Sequence, residues 1–135
     1  MSHLIKDLKI EHVQLLQIFN DVKSIGVQSI EGKEKLISAK DIFLSHLKKE
    51  DESLYPVLRK RALTDQHLMS LLDTFATDMD QITKRTLDFF EKYKGEGFSA
   101  GFESDFSMLY GEISGRIRKE ESILYEEFEK NINKD

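Results

Sequence analysis

One proline and seven glycines in 135 residues leave this chain almost without breakers. Breaker signals gather at 24–33, 56–65 and 95–101. A strand-and-turn architecture needs far more of them, so long helices are the favoured outcome. Apolar residues recur at spacings of three and four between those gaps, the signature of one buried helix face. A first helix is predicted over residues 4–23, with Ile5, Leu8, His12, Leu15, Leu16, Phe19 and Val22 on its stripe. A second covers 34–55 or beyond, with Ile42, Phe43, Leu47, Leu54, Val57 and Leu58 apolar; Pro56 must kink or restart it, because it frees the Glu52 carbonyl. Thr64, with Asp65 behind it, can cap a third helix running to about Lys94. Its stripe includes Leu68, Leu71, Leu72, Phe75, Met79, Ile82 and Phe90. The stretch Gly95 to Gly101 is the clearest loop, and a fourth helix follows to about Asn131, through Phe106, Leu109, Ile113, Ile117, Ile123, Leu124 and Phe128. Four amphipathic helices with short connections predict an all-α, up-down-up-down antiparallel four-helix bundle, one domain over residues 1–135.

Composition narrows the chemistry. There is no cysteine, which excludes disulfides, thiolate nucleophiles, zinc fingers and iron–sulfur clusters. Any metal must be held by nitrogen and oxygen. Twenty basic residues against 25 acidic ones give a net charge of −5, without the basic footprint of a nucleic-acid binder. The apolar runs are too short to cross a membrane, and Met1 to Asp7 carries no apolar stretch of signal-peptide length. A cytoplasmic location is the expectation.

The stripes carry more than aliphatics. His12 lies between Leu8 and Leu15; His46 and Glu50 sit in the seam of Phe43, Leu47, Leu54 and Val57; His67 shares a face with Leu71; and Arg116 and Glu120 interrupt Ile113, Ile117, Ile123 and Leu124. Charged and imidazole side chains are rarely buried unless paired or bound. Each helix is therefore expected to offer the bundle axis an imidazole or a carboxylate.

The second and fourth helices also repeat one another. His46-Leu-Lys-Lys-Glu-Asp-Glu-Ser-Leu-Tyr55 aligns without gaps on Arg116-Ile-Arg-Lys-Glu-Glu-Ser-Ile-Leu-Tyr125. A pseudo-twofold bundle brings Glu50 and Glu120 together. Two carboxylates in a low-dielectric core repel unless a cation or protons neutralise them. A His and a Glu four apart present side by side, a two-point chelate. Ligands at one level of an antiparallel bundle should lie equally far from the intervening turn. That rule puts turns near Ile30, Val57 and Lys92; the first agrees with the breakers, and the others require helices offset by several residues. His3 belongs to the N-terminal segment, Asp51, Glu52 and Glu121 read as solvated neighbours of the seam, and Tyr55 and Tyr125 read as core. Asp51 or Glu121 can substitute for its neighbour if the helix phase slips.

This pattern resembles the hemerythrin-like, or HHE, family over nearly the whole chain. The resemblance rests on Glu11-His12, on His46 with Glu50-Asp51 followed by Leu54-Tyr55-Pro56, on His67, and on Glu120-Glu121 followed by Leu124-Tyr125. It implies a four-helix bundle holding a non-haem di-iron centre, with His12 and His46 on one iron, Glu50 and Glu120 bridging, and His67 on the other. Two departures fall on that second iron: Arg116 stands where the family has a histidine, and Leu71 where oxygen carriers have one. A guanidinium cannot act as a ligand, although its fixed charge can stand in for a cation beside Glu120 or Glu50. A poor dimetal site, a one-metal site and a metal-free site closed by Arg116 all remain open.

The expected function is a His/carboxylate iron site, with manganese or zinc as substitutes, that senses or handles oxygen, nitric oxide, peroxide or iron. Its ligand is then a diatomic molecule or peroxide, and any signal passes through a protein partner. The rival is a metal-free interaction module that keeps the fold. An inward, paired Arg116 favours the module. A third reading, an oxidase or peroxidase, needs a substrate that nothing in the sequence names.

Overall fold

The computed structural model describes residues 2–26, 29–93 and 101–133. Among these residues there is no strand. The elements are α1 (His3–Ile25), α2 (Ile30–Lys49), a π turn π1 (Glu50–Leu54), α3 (Tyr55–Ala62), α4 (Gln66–Lys92), α5 (Phe102–Lys119), a second π turn π2 (Glu120–Leu124) and α6 (Tyr125–Asn133). Because α2–π1–α3 and α5–π2–α6 each run on as one rod, the chain is a bundle of four rods, as its periodicity predicts.

The helix starts follow from small polar side chains that take up free backbone N–H groups. Ser2 Oγ accepts from Ile5 N at 3.2 Å, Ser29 Oγ from Gly32 N at 3.0 Å, and Asp65 Oδ1 from Leu68 N at 3.1 Å. Two boundaries differ from expectation. Helix α2 begins at Ile30 and not near residue 34, because Ser29 caps it. Asp65, not Thr64, caps α4. Gly26 ends α1 with φ +82°, a conformation glycine adopts at little cost. Gly32 lies so close to it that a Cβ there would run into the Gly26 carbonyl. The predicted Gly95–Gly101 loop lies outside the described residues except for Gly101.

The π turns answer a quirk of spacing. Buried residues along the second rod run His46, Glu50, Leu54, Leu58, Ala62, and along the fourth Arg116, Glu120, Leu124, Phe128. Successive steps of four overshoot a full α-helical turn by about 40° each. A wider turn absorbs the surplus residue, with Tyr55 N–H bonded to the Glu50 carbonyl and Tyr125 N–H to that of Glu120. Val57 and Ile123, expected on the buried faces, are consequently rotated outward to 42% and 39% exposure. Pro56 does sit at the start of α3, as a restart there requires. A proline is not required for such a turn, since π2 forms without one.

The core divides into two apolar bodies. One gathers Leu15, Phe19, Phe43, Met79, Phe106 and Ile117 with their neighbours; the other gathers Ile5, Leu8, Leu54, Leu72, Phe75 and Leu124. Chain order places His12, His46, Glu50 and Glu120 between the two bodies.

Candidate metal centre

Three rods build the polar layer. From α1 comes His12, from the second rod His46 and Glu50, and from the fourth Arg116, Glu120 and Tyr125; all are buried, Glu50 to 1% exposure and Glu120 to 2%. His12 Nε2 lies 3.1 Å from His46 Nε2 and 3.0 Å from Glu120 Oε1. His46 Nε2 lies 3.4 Å from Glu50 Oε2 and 3.7 Å from Glu120 Oε1. One ligand atom each from His12, His46 and Glu120 fits within 4.8 Å. Beside them is a cavity of about 20 Å³, walled largely by Leu15, Phe43, Leu47, Ile82 and Ile113, with room for one water-sized guest.

Outer carboxylates set the imidazoles. Glu121 Oε2 lies 2.7 Å from His12 Nδ1, and Glu11 Oε1 lies 2.8 Å from His46 Nδ1. Lys49 Nζ donates to Glu11 Oε2 at 2.6 Å. A carboxylate only accepts, so each Nδ1 carries the hydrogen and each Nε2 turns to its neighbour. Paired carboxylate–imidazole contacts of this kind orient histidine for a metal. Two Nε2 atoms and two carboxylates then converge on one place, and the Glu50 Oε1 atom is buried without a partner. Nitrogen and oxygen donors that need a shared positive charge fit a cation such as iron.

Without a cation, protons must take that part. Burial disfavours a charged His46, but its hydrogen bonds to Glu120 and Glu50, and their charges, outweigh it and raise its pKa to about 10. Burial alone would raise the Glu120 pKa as well; hydrogen bonds from His12 and His46 and the Arg116 charge hold it well below the usual carboxylate range. Burial and the Glu120 charge together push Glu50 up.

Arg116 points inward. Its Nε donates to Glu120 Oε2 at 3.1 Å, its Nη2 donates to the Tyr55 hydroxyl at 3.2 Å, and its guanidinium carbon lies 4.5 Å from the centre of the Phe75 ring. A planar cation between a carboxylate and an aromatic face is well placed on both sides.

His67 does not join the cluster. It lies exposed in the first turn of α4, one residue after Gln66 and one before the buried Leu68. The buried residues of α4 are Leu68, Leu72, Phe75, Met79, Ile82, Thr86, Phe89 and Phe90, so this helix presents no described imidazole or carboxylate to the axis. The expectation that every helix would do so is corrected: His67 follows the face of neither Leu68 nor Leu72. His3, the first residue of α1, is also exposed.

The roles of Glu11, Glu121, Tyr55 and Tyr125 escaped the sequence reading, which held Glu121 as a solvated neighbour able to substitute for Glu120. Glu11 and Glu121 are each adjacent to a stripe position and reach the imidazoles from outside. Tyr125 was read as core, and its ring is buried, but its hydroxyl enters the cluster and donates to Glu50 Oε2 at 2.8 Å. The signals available for them were adjacency to His12 and Glu120 and the matched Leu-Tyr pairs of the repeat.

The family model described as the hemerythrin HHE cation-binding domain matches residues 3–128. No curated protein and no solved structure matches the chain.

Proposed function

Since the chain belongs to the hemerythrin HHE cation-binding family, we propose that it holds one non-haem iron ion and uses it to sense or handle oxygen, nitric oxide, peroxide or iron. The convergence of His12, His46 and Glu120 within 4.8 Å carries this reading. His12 and His46 would each offer Nε2, Glu120 would offer Oε1, and Glu50 stands beside them. A second ion finds no donor on α4, and Arg116 already supplies a positive charge on that side. Four carboxylates (Glu11, Glu50, Glu120, Glu121) against two cations (Lys49, Arg116) leave an excess of negative charge, which a bound cation offsets.

The other residues have definable parts. Glu11 and Glu121 keep the Nε2 lone pairs aimed inward. Arg116 holds Glu120 in place. The cavity of about 20 Å³ beside the ligands limits a guest to roughly the size of water or a diatomic molecule. Iron, when bound, supplies open coordination positions and a redox couple to such a guest. Manganese or zinc suits the same donors. A change of state at the centre would pass to a protein partner, through the rods that carry the ligands.

One observation favours a second reading, a metal-free interaction module. Arg116 is inward and paired with Glu120, which closes part of the layer without any ion. Elemental analysis separates the two, on protein grown with added iron and purified without chelator. About one iron per chain is the expected result. About two would overturn the single-ion reading, and none, with the helices intact, would leave the module.

A further inference from the structure

The Tyr125 hydroxyl is not beside the cluster but within it. Its oxygen lies 2.8 Å from Glu50 Oε2, 3.2 Å from His12 Nε2, 3.3 Å from Glu120 Oε1 and 3.5 Å from His46 Nε2. Ligand atoms about 2.0–2.2 Å from an ion stand roughly 3 Å from one another. The phenol oxygen keeps that spacing to both imidazoles and both carboxylates. It has a single hydrogen, and the shortest contact assigns it to Glu50. Its lone pairs are then turned to the Nε2 atoms of His12 and His46, so a metal ion taking the place of the protons held there would meet all three atoms.

Local structure puts the oxygen there. Residues five apart lie about 140° apart around an α-helix. The π turn from Glu120 to Leu124 brings Tyr125 back toward the Glu120 side of the rod. The Tyr125 ring then stacks on His12, with centroids 5.5 Å apart and planes 10° from parallel. Tyr55, at the matched place in the repeat, has a different use: its hydroxyl accepts from Arg116.

We propose that Tyr125 is itself a metal ligand, binding ferric iron as a phenolate alongside His12, His46 and Glu120. The inference rests on the single-ion reading above. On coordination the Tyr125 O–H bond breaks and an oxygen–iron bond forms. The proton passes to Glu50 Oε2, which already accepts its hydrogen bond, and no electron is transferred. An iron ion can take a tyrosine oxygen as a ligand.

The test is the visible and resonance Raman spectrum of the full chain loaded with ferric iron, with iron content measured on the same samples. The wild type should show a phenolate-to-iron charge-transfer band with tyrosine ring modes enhanced under it. Tyr125→Phe should retain its helicity and lose the band. A variant with Tyr55, Tyr93 and Tyr110 all changed to Phe keeps Tyr125 as the sole tyrosine and should keep the band, which preserves the test if Tyr125→Phe fails to fold. Bound iron without the band in the wild type, or a band that survives Tyr125→Phe, would overturn the phenolate and leave the metal reading standing. A wild type that takes up no ferric iron would overturn both.

Discussion

A guanidinium in a protein core keeps its charge, so Arg116 brings a permanent cation to a layer that already contains two imidazoles and two carboxylates. Its hydrogen bond to Glu120 and its position over Phe75 make it a structural member of the layer. Changing Arg116→His exchanges the fixed charge for a donor. Iron per chain should rise above the wild-type value in elemental analysis, and an unchanged value would show that Arg116 does not limit the site. In the metal-free protein the same change should cost about 1.5–3 kcal/mol in a denaturant titration, because Glu120 loses its charged hydrogen bond from Arg116 while keeping its contacts with His12 and Tyr125. The residue scale is also where the sequence reading was least complete. His12, His46, Glu50, Arg116 and Glu120 could be placed inward because they interrupt apolar stripes. The hydroxyl of Tyr125 could not, since a tyrosine on a stripe reads as core whether its polar end meets carbon or a carboxylate.

At the scale of elements, the two π turns do what no side chain could. The run from His46 to Ala62 and the run from Arg116 to Phe128 advance in repeated fours, and an unbroken α-helix would carry one end of each run off the core. Both turns begin at the inward glutamates, Glu50 and Glu120, so the local change of pitch and the polar layer coincide. Deleting Ser122 removes the surplus residue and should restore the α-helical pitch through π2 with Leu124 and Phe128 still on the buried face, now at steps of three and four. Thermal unfolding should then stay near the wild type, as it should for Ser122→Ala, whereas an alanine inserted after Ser122 should rotate Leu124 and Phe128 by about 100° and lose several kcal/mol, in line with withdrawing large apolar side chains from a core. The repeat between the second and fourth helices was legible in the sequence, and so was the disturbance at Pro56. The π turn itself was hidden, because a step of four is common in any helix and only a succession of such steps strains the geometry.

For the whole molecule, the arrangement is a polar layer held between two apolar bodies. Neither body contains a charge, so the layer's electrostatics bear on the stability of the bundle as a whole. His46 supplies a pH dependence with a definite sign. Its pKa is raised in the folded state to about 10, from an ordinary value of 6.5. The stabilisation is therefore fully present below pH 6.5 and lost as pH climbs toward 10. Glu50, also raised, acts in the same direction at lower pH, while Glu120, held low, loses its contribution only in strong acid. The melting temperature of the metal-free protein should accordingly fall between pH 7 and pH 10. A flat profile there would mean that His46 is not the proton holder. A metal that binds the folded chain alone adds stability as its free concentration rises, and it should flatten the slope by displacing that proton.

Sequence by itself determined the number of rods, their order and most of their inward faces, because few breakers and a three-to-four periodicity admit little besides a helical bundle. It also identified the residues that could not be buried alone, since an imidazole or carboxylate on an apolar stripe demands a partner. Tertiary structure decided who the partners are. Whether a residue at a helix start faces inward depends on phase and level, and these left His67 in solvent while Phe75 and Met79 took the places facing the layer. The meeting of His12, His46, Glu120 and Tyr125 joins residues more than a hundred positions apart in the chain, and distances of about 3 Å among them arise only when four rods pack with their pitch locally altered. Periodicity fixes a face; only packing fixes a register, and a metal centre depends on register.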